Sequence, residues 1–192
     1  AERFKDYGDY LIFETMNEPR DGDNWTGYEE AYEVVNAYNA ACIETIRKSG
    51  GNNKERLVML PGYAASSDSK CIAAIKIPEG DDHLAVSVHA YSPYSFAMDT
   101  SETSQTTWST QDKRALKNIF SLVDKTFIQK GIPVVMGEFA STNKDNLEAR
   151  VAHAKDYVSI AAKYGVPCIW WDNGAWRAYS NDAMGILNRR TL

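Results

Sequence analysis

Short apolar runs alternate along the chain with longer segments in which apolar residues recur every three or four positions. The runs predict five strands, at residues 10–16, 56–60, 84–89, 133–139 and 167–171. The longer segments predict helices at 26–48, 68–75, 111–129 and 145–163. Most of the strands are apolar nearly throughout, which is typical of parallel strands covered by helices. The pattern therefore predicts an α/β protein with a parallel sheet.

The first long helix has the clearest periodicity and a candidate start signal. Thr26 and Glu29 have the spacing of a capping box. The positions predicted to form its buried face are Ala31, Val34, Val35, Tyr38, Cys42, Ile43 and Ile46. The strand that follows is predicted to end at Pro61-Gly62. A long Ser- and Thr-rich loop from 90 to 110 is predicted to serve a functional site.

Polar and aromatic residues lie at the C-terminal ends of the predicted strands. They are Asn17, Glu18, His89, Tyr91, Glu138, Trp171 and Asp172. No glycine-rich phosphate motif follows any strand, which argues against a nucleotide-binding sheet. Side chains from several strand ends converge in a (β/α)8 TIM barrel, which has eight strands in about 250 residues. We therefore expect one partial barrel domain over 1–192, truncated at both ends, with the missing strands upstream of Ala1.

Composition and charge narrow the function classes. A net charge of −5 offers no electrostatic reason to bind nucleic acid or an anionic membrane, and no apolar run reaches the roughly 20 residues of a membrane span. The three cysteines form no C-x-x-C pair and are interpreted as buried thiols. The absence of an H-E-x-x-H motif or a Cys/His cluster predicts that no metal or other cofactor is used. No G-x-S-x-G motif indicates a serine hydrolase.

Glu18 and Glu138 are the candidate catalytic pair. Hydrolysis of a glycosidic bond needs a proton for the leaving oxygen and a carboxylate on the other side of the sugar. Two glutamates at the ends of rigid strands supply both groups. The competing interpretation is that each is a structural ion-pair partner, which the matched strand-end positions of the two residues make less favourable.

The other strand-end residues fit a sugar site. Asn17 can hydrogen-bond a 2-hydroxyl, although it could also simply form the turn before Pro19. His89 and Tyr91 lie two positions apart and therefore point to the same side of an extended segment. In a sugar site His89 would bind a substrate hydroxyl and Tyr91 would orient the nucleophile. The alternative for His89 is a structural role. Trp171 is the predicted stacking platform, with Trp170 in the core. The loop residues Trp25 and Trp108 are further candidates for sugar subsites.

Four segments in order, LIFETMNEPR, VSVHAYSPY, VVMGEFAS and IWWDNG, closely resemble retaining endoglucanases of glycoside hydrolase family 5. The bacterial cellulase and xyloglucanase subfamily often numbered 4 is the most similar group. The resemblance implies that these segments end barrel strands four, six, seven and eight. It implies that Glu18 is the general acid/base and Glu138 the nucleophile, with carboxyl groups about 5–5.5 Å apart. The family's Arg at strand two, its His at strand three and its last helix have no counterpart here.

The resemblance predicts a retaining endo-β-1,4-glucanase acting on a β-1,4-linked polysaccharide. Xyloglucanase, mannanase or xylanase activity remains open within the same clan. A non-catalytic, sugar-binding barrel fragment is the alternative from another class. Because a partial barrel has open strand edges, we expect this chain to pair with a chain carrying the N-terminal strands or with a second copy. Secretion is expected because polymeric cellulose cannot enter a cell.

Overall fold

The computed structural model describes residues 1–180 and 183–189 of the chain. The strands are β1 Phe13–Glu14, β2 Val58–Ser66, β3 Leu84–His89, β4 Val134–Phe139 and β5 Cys168–Trp170. The α-helices are α1 Glu29–Lys48, α2 Ser69–Ala73, α3 Tyr94–Ala97, α4 Thr110–Thr126 and α5 Leu147–Lys163. Short 3-10 turns occupy Glu2–Phe4, Gly51–Lys54 and Ile128–Lys130. All five predicted strands are present, and α3 is a short helix inside the loop predicted at 90–110.

The five strands lie in one sheet whose order is the sequence order, β1-β2-β3-β4-β5. The first pair is parallel and places Phe13 opposite Val58. The last pair is also parallel, with Met136 opposite Cys168 and a register shift before Phe139 meets Trp170. A helix lies between every two consecutive strands, as parallel connections require. In the part of the chain that the structure describes, no helix has the length and apolar composition to cross a membrane.

The chain contains two compact units. The first, unit 1, comprises Ala1–Val88 and Lys125–Val135, and the second, unit 2, comprises His89–Asp124 and Met136–Leu192. The prediction of a single domain over 1–192 stays a prediction.

In unit 1, helix α1 packs its buried face on β2. That face consists of Ala31, Val35, Asn39, Ile43 and Ile46. The prediction was wrong for Val34 and Tyr38, which are more than half exposed. It also missed Asn39, which is fully buried and whose amide donates to the carbonyl oxygen of Pro61 at 2.8 Å. The buried face of α1 is narrower than the apolar face that the sequence predicts. Asn39 can lie in the buried face because its hydrogen bonds are satisfied.

Two predicted boundaries in unit 1 were wrong. Helix α1 begins at Glu29 after Tyr28, and no side chain caps it. The Thr26 hydroxyl instead donates to Asn24 Oδ1 at 3.1 Å, so the capping box does not form. Strand β2 continues through Pro61-Gly62 to Ser66. At Gly62 a Cβ would lie 2.7 Å from the Ile75 side chain, so the glycine permits close packing and does not end the strand.

Unit 2 has a core of aromatic rings and aliphatic side chains between α4, α5 and β4. The Tyr157 ring stacks on Phe139 with centroids 4.0 Å apart and meets Phe120 edge-on at 5.3 Å. Leu116 and Val123 of α4 are also fully buried. Tyr157 of α5 thus connects α4 with Phe139, the neighbour of Glu138.

The cysteine side chains are unpaired thiols in the structure, but they differ in burial. Cys71 is buried, as predicted, whereas Cys42 and Cys168 are only partly buried. Burial raises the pKa of the Cys168 thiol to about 11 and that of Cys71 less strongly. Both thiols therefore stay protonated near neutral pH.

Arg56 fastens the N-terminal segment of unit 1. Its side chain is nearly fully buried, and its nitrogens donate to the Asn53 side chain at 2.6 Å and to four backbone carbonyl oxygens. Those oxygens belong to Phe4, Tyr7, Gly8 and Leu11, at 2.6–3.0 Å. A planar cation with five donors is suited to such a cluster of acceptors.

Replacement of Arg56 by Met is expected to lower the free energy of unfolding by about 3 kcal/mol, because buried carbonyl groups lose charge-assisted hydrogen bonds. Urea unfolding of this chain followed by tryptophan fluorescence measures the change. The matched control is Lys48→Met, which removes a largely exposed ion pair with Glu44 and should cost less than about 0.5 kcal/mol. Equal stability of the two variants would contradict the role of Arg56.

Candidate active site

Glu138 lies at the end of β4, and two residues that follow or end β3 contact its carboxylate. The Tyr91 hydroxyl donates to Glu138 Oε2 at 2.6 Å, and His89 Nδ1 lies 3.5 Å from the same oxygen. The backbone N–H of Ala90 donates to the Glu138 carbonyl oxygen at 3.0 Å. This pairing of the two strand ends brings His89 and Tyr91 to the same oxygen of the carboxylate. The structure thus brings together three of the predicted site residues.

The carboxylate of Glu138 is held in a largely dry setting. Its side chain is 12% exposed and that of His89 only 3%. A short hydrogen bond from a phenol hydroxyl fixes the orientation of a carboxylate. The same-side placement predicted for His89 and Tyr91 agrees with this geometry. Their catalytic roles stay predictions.

Glu18 and Asn17 follow β1 in unit 1. The segment is anchored where Thr15 N donates to the Met59 carbonyl oxygen at 3.0 Å and Ala64 N donates to that of Pro19 at 2.8 Å. Asn17 is exposed and Glu18 is partly buried. Arg20 Nη1 lies 3.9 Å from Glu18 Oε2. A strand-end carboxylate therefore sits beside a cation, on backbone that hydrogen bonds hold in place.

The two tryptophans at the end of β5 have different surroundings, but the prediction that Trp170 lies in the core was wrong: Trp170 is only partly buried and lines a groove of unit 2. The Trp170 ring packs edge-on against Phe139 at 5.2 Å, and its Nε1 donates to the Met184 carbonyl oxygen at 2.9 Å. Trp171 is 45% exposed, and its backbone N–H donates to the Phe139 carbonyl oxygen. An exposed indole next to the strand that carries Glu138 is suited to stacking on a sugar ring.

The two loop tryptophans have protein partners of their own. Trp25 is about half exposed, and the Arg20 guanidinium lies 3.9 Å from its ring centroid. The Trp108 Nε1 donates to Asp156 Oδ2 at 3.0 Å, and its ring packs on His153 at 4.8 Å. The predicted subsite roles of Trp25 and Trp108 stay predictions, and both indoles serve internal contacts as well.

A brace between two loops of unit 2 was missed by the sequence analysis. The segment 142–146, just after β4, donates five hydrogen bonds to carbonyl oxygens of the loop after β3. Lys144 contributes two of them, to Ser95 and Gln105, although its side chain is buried. Burial lowers the pKa of this lysine. No sequence signal distinguishes such a lysine from a solvated one, because its acceptors are backbone carbonyl groups 49 and 39 residues away.

The strand bearing Glu138 rests on a buried histidine. His153 of α5 is fully buried, and neither ring nitrogen has a hydrogen-bond partner among the described residues. Phe96, Trp108 and Phe139 surround its ring. Burial, with a smaller contribution from the charge of Arg150, lowers the pKa of His153 from 6.5 to about 4. The neutral imidazole thus serves as a packing group.

Asp172, the last predicted strand-end residue, organises the segment after β5. It accepts hydrogen bonds from the backbone N–H groups of Gly174 at 2.7 Å and Ile186 at 3.2 Å. Arg189 lies 3.5 Å from the same carboxylate. The bond from Gly174, followed by that from Ile186 and the charge of Arg189, lowers the pKa of Asp172. Asp172 is therefore a structural anchor next to Trp171.

Comparison with known proteins identifies the family of this chain. The family model described as cellulase, glycosyl hydrolase family 5, matches residues 1–176. The chain belongs to glycosyl hydrolase family 5. Endoglucanase 1 of Ruminococcus albus is 49% identical over 195 residues, which cover 100% of this chain and 47% of the relative. Endoglucanase A of Clostridium longisporum is 51% identical over 197 residues, covering 100% of this chain and 38% of the relative.

Solved family 5 structures match the whole chain as well. The GH5-4 broad specificity endoglucanase from Clostridium longisporum superposes with a TM-score of 0.95 at 50% identity, covering 100% of this chain and 56% of that one. The Ruminococcus champanellensis enzyme with bound cellotriose has a TM-score of 0.91 at 40% identity, covering 99% and 56%. The family prediction and the predicted fold, a portion of a (β/α)8 barrel, are confirmed. The chain spans about half the length of these relatives.

The buried His153 should make unit 2 sensitive to acid. Its folded-state pKa of about 4 lies below the 6.5 of an ordinary histidine, so the unfolded chain binds the proton more tightly. Stability is therefore lost as pH falls below about 6.5, by about 2–3 kcal/mol at pH 4.5. Replacement of His153 by Leu should remove this part of the pH dependence.

Urea unfolding of this chain at pH 7 and at pH 4.5 measures the effect. The matched control is His83→Leu, which removes a histidine outside the aromatic cluster and should leave the acid sensitivity in place. An unchanged difference between the two pH values in the His153→Leu variant would contradict the assignment.

Proposed function

We propose that this chain supplies the catalytic carboxylates of a retaining endo-β-1,4-glucanase. The proposal rests on the setting of the Glu138 carboxylate at the end of β4. This carboxylate accepts a hydrogen bond from Tyr91 and lies next to His89. It lies in a chain about half identical to proteins named endoglucanases. Tyr91 and His89 hold a carboxylate in one orientation, and a nucleophile needs that restraint.

The proposed reaction has two displacement steps. Glu138 attacks the anomeric carbon, while Glu18 gives its proton to the departing glycosidic oxygen. The bond from the anomeric carbon to the leaving sugar breaks as its bond to Glu138 forms. Glu18 then takes a proton from a water molecule, which attacks the same carbon and releases the sugar from Glu138. The reaction requires no metal or cofactor.

The proposed substrate is a β-1,4-glucan. A relative of this fold has been solved with bound cellotriose, and Trp171 presents an exposed indole for stacking on a glucose ring. Asn17, His89 and Trp108 are the further candidates for sugar contacts. Xyloglucan is the second candidate, because a 35% identical structure with a TM-score of 0.93 is described as a xyloglucan-specific endo-β-1,4-glucanase. Action on such polymers implies an extracellular location.

We also propose that the remainder of the barrel covers two apolar surfaces of this chain. In unit 1 a groove of about 480 Å³ is lined by Met16, Val34, Val35 and Tyr38 among others. In unit 2 a groove of about 650 Å³ is lined by Leu147, Val151, Val158, Trp170 and Ile186 among others. Exposed apolar surface of this kind marks a contact with another polypeptide. Relatives about twice as long as this chain contain the segments that would supply it.

A trapped glycosyl-enzyme identifies the nucleophile. The assay protein is a hybrid in which the N-terminal part of the Clostridium longisporum Endoglucanase A catalytic domain precedes Ala1. With 2-deoxy-2-fluorocellobiosyl fluoride, the C–F bond breaks, fluoride leaves and an ester forms with the nucleophile, whose hydrolysis the 2-fluoro group slows. Mass spectrometry should find the sugar on the peptide that contains Glu138. Glu138→Gln should abolish the label and reduce β-glucan hydrolysis by about 10³-fold or more.

The matched control is Glu148→Gln, which alters an exposed glutamate of α5 and should leave labelling and hydrolysis unchanged. Label on another residue, or hydrolysis by Glu138→Gln at the original rate, would overturn the nucleophile assignment. Parallel assays on β-glucan, xyloglucan, mannan and xylan rank the substrates. Hydrolysis of mannan or xylan alone would overturn the glucanase proposal.

Complementation tests the proposed covering of the apolar surfaces. This chain, co-expressed with the same N-terminal part as a separate polypeptide, should form a one-to-one complex by light scattering and gain β-glucan hydrolysis. Tyr38→Lys should weaken the complex about tenfold or more, because it places a charge in an apolar contact. Tyr94→Lys, an exposed tyrosine outside both grooves, is the control. A stable monomer that does not bind the N-terminal part would overturn the proposal, as would a dimer of this chain alone.

A further inference from the structure

The Arg20 side chain is fixed between two residues of the candidate site. Its guanidinium lies 3.9 Å from the centroid of the Trp25 ring, and its Nη1 lies 3.9 Å from Glu18 Oε2. Its Nε donates to the Gly22 carbonyl oxygen at 3.0 Å. Three contacts therefore restrain a side chain that is 30% exposed, whereas an ordinary surface arginine is mobile.

The turn that carries Trp25 is itself well anchored. The Asn24 side chain accepts hydrogen bonds from the backbone N–H groups of Thr26 and Gly27, both at 3.0 Å. The hydroxyl of the buried Tyr63 donates to the Asn24 carbonyl oxygen at 2.7 Å and accepts from the backbone N–H of Asp21 at 2.9 Å. The indole is thus a fixed surface, and a planar guanidinium is the cation best suited to stack on it.

The distances limit what Arg20 does to Glu18. At 3.9 Å the guanidinium is too far away for a strong hydrogen bond, but it is close enough to attract the carboxylate. It therefore restrains the direction of the Glu18 side chain without taking up both carboxylate oxygens. One face of the Trp25 ring is covered by Arg20, so that face is not available to a sugar.

We propose that Trp25 and Arg20 form a positioning pair for Glu18, in which the indole holds the guanidinium and the guanidinium aims the carboxyl group at the glycosidic oxygen. The inference rests on the proposed role of Glu18 as the proton donor. Neither Arg20 nor Trp25 exchanges a proton in the reaction. Both are positioning residues that act through Glu18.

Arg20 and Trp25 should affect the rate of hydrolysis only for substrates whose leaving group needs a proton. A sugar alkoxide is a poor leaving group and depends on the general acid, whereas dinitrophenolate departs without protonation. Loss of Arg20 should therefore slow the hydrolysis of cellotetraose and leave that of 2,4-dinitrophenyl β-cellobioside nearly unchanged. A general disturbance of folding or of sugar binding would slow both substrates alike.

The experiment compares kcat/KM of the hybrid protein on these two substrates. Arg20→Met should lose about fivefold on cellotetraose, in line with a partly exposed charge contact, and less than twofold on the dinitrophenyl substrate. Arg20→Lys keeps the charge without the stacking plane and should lose less. Trp25→Ala should resemble Arg20→Met, and the double variant should lose no more than Arg20→Met alone, because both act through one contact.

Glu18→Ala is the reference variant and should show the same leaving-group pattern with a larger loss. If Glu18→Ala slows both substrates equally, the proposed acid role of Glu18 is wrong. If Glu18→Ala shows the pattern but Arg20→Met slows both substrates equally or neither, only the positioning pair is wrong. Additive losses in the double variant would show that Trp25 acts on the sugar and would overturn its role as the support for Arg20.

Discussion

The hydrogen bond from the Ala90 backbone N–H to the Glu138 carbonyl oxygen is the constraint on which the candidate site depends. It pairs the end of β4 with the residue that follows β3, so that the side chains on both sides of Ala90 meet one carboxylate. The tyrosine hydroxyl at 2.6 Å and the imidazole at 3.5 Å then follow from backbone geometry. A carboxylate held in this way keeps one orientation, and such preorganisation is what a rigid strand contributes to a functional site.

Several contacts in unit 2 restrain the end of β4. Phe139, the neighbour of Glu138, stacks on Tyr157 and adjoins the ring of the buried His153. Lys144 and its neighbours bind the segment after β4 to the loop after β3. Each of these two arrangements buries a polar side chain, Lys144 in one and His153 in the other, but the two side chains are stabilised differently. The lysine amine is satisfied by carbonyl oxygens, whereas the imidazole is kept neutral among aromatic rings at the expense of acid stability.

In unit 1 the Glu18 carboxylate is restrained by other contacts than those of Glu138. Glu18 follows a strand of only two residues, so the backbone provides less support than β4 gives to Glu138. The Tyr63 hydroxyl bonds and the Asn24 turn stabilise the segment that carries Trp25, and Arg20 connects that turn with Glu18. A guanidinium nitrogen at 3.9 Å attracts the Glu18 carboxylate without the close approach of a strong hydrogen bond.

The sequence by itself determined the order of the five strands and of four of the five helices, the family, and which residues lie at the strand ends. The apolar run at 84–89 predicted β3 with its correct bounds, because a continuous apolar run bounded by turns is a local signal. Only the tertiary structure decided which faces are covered. Val34 and Tyr38 continue the apolar pattern of α1 yet lie exposed, whereas Asn39, Lys144 and His153 are buried. Local pattern cannot reveal this, because the burial of a polar group depends on partners or packing rings that lie far away in the chain. Arg20 is close in sequence to Trp25 and Glu18, but the turn that leads to Trp25 is held by hydrogen bonds with Tyr63, about 40 residues further along the chain.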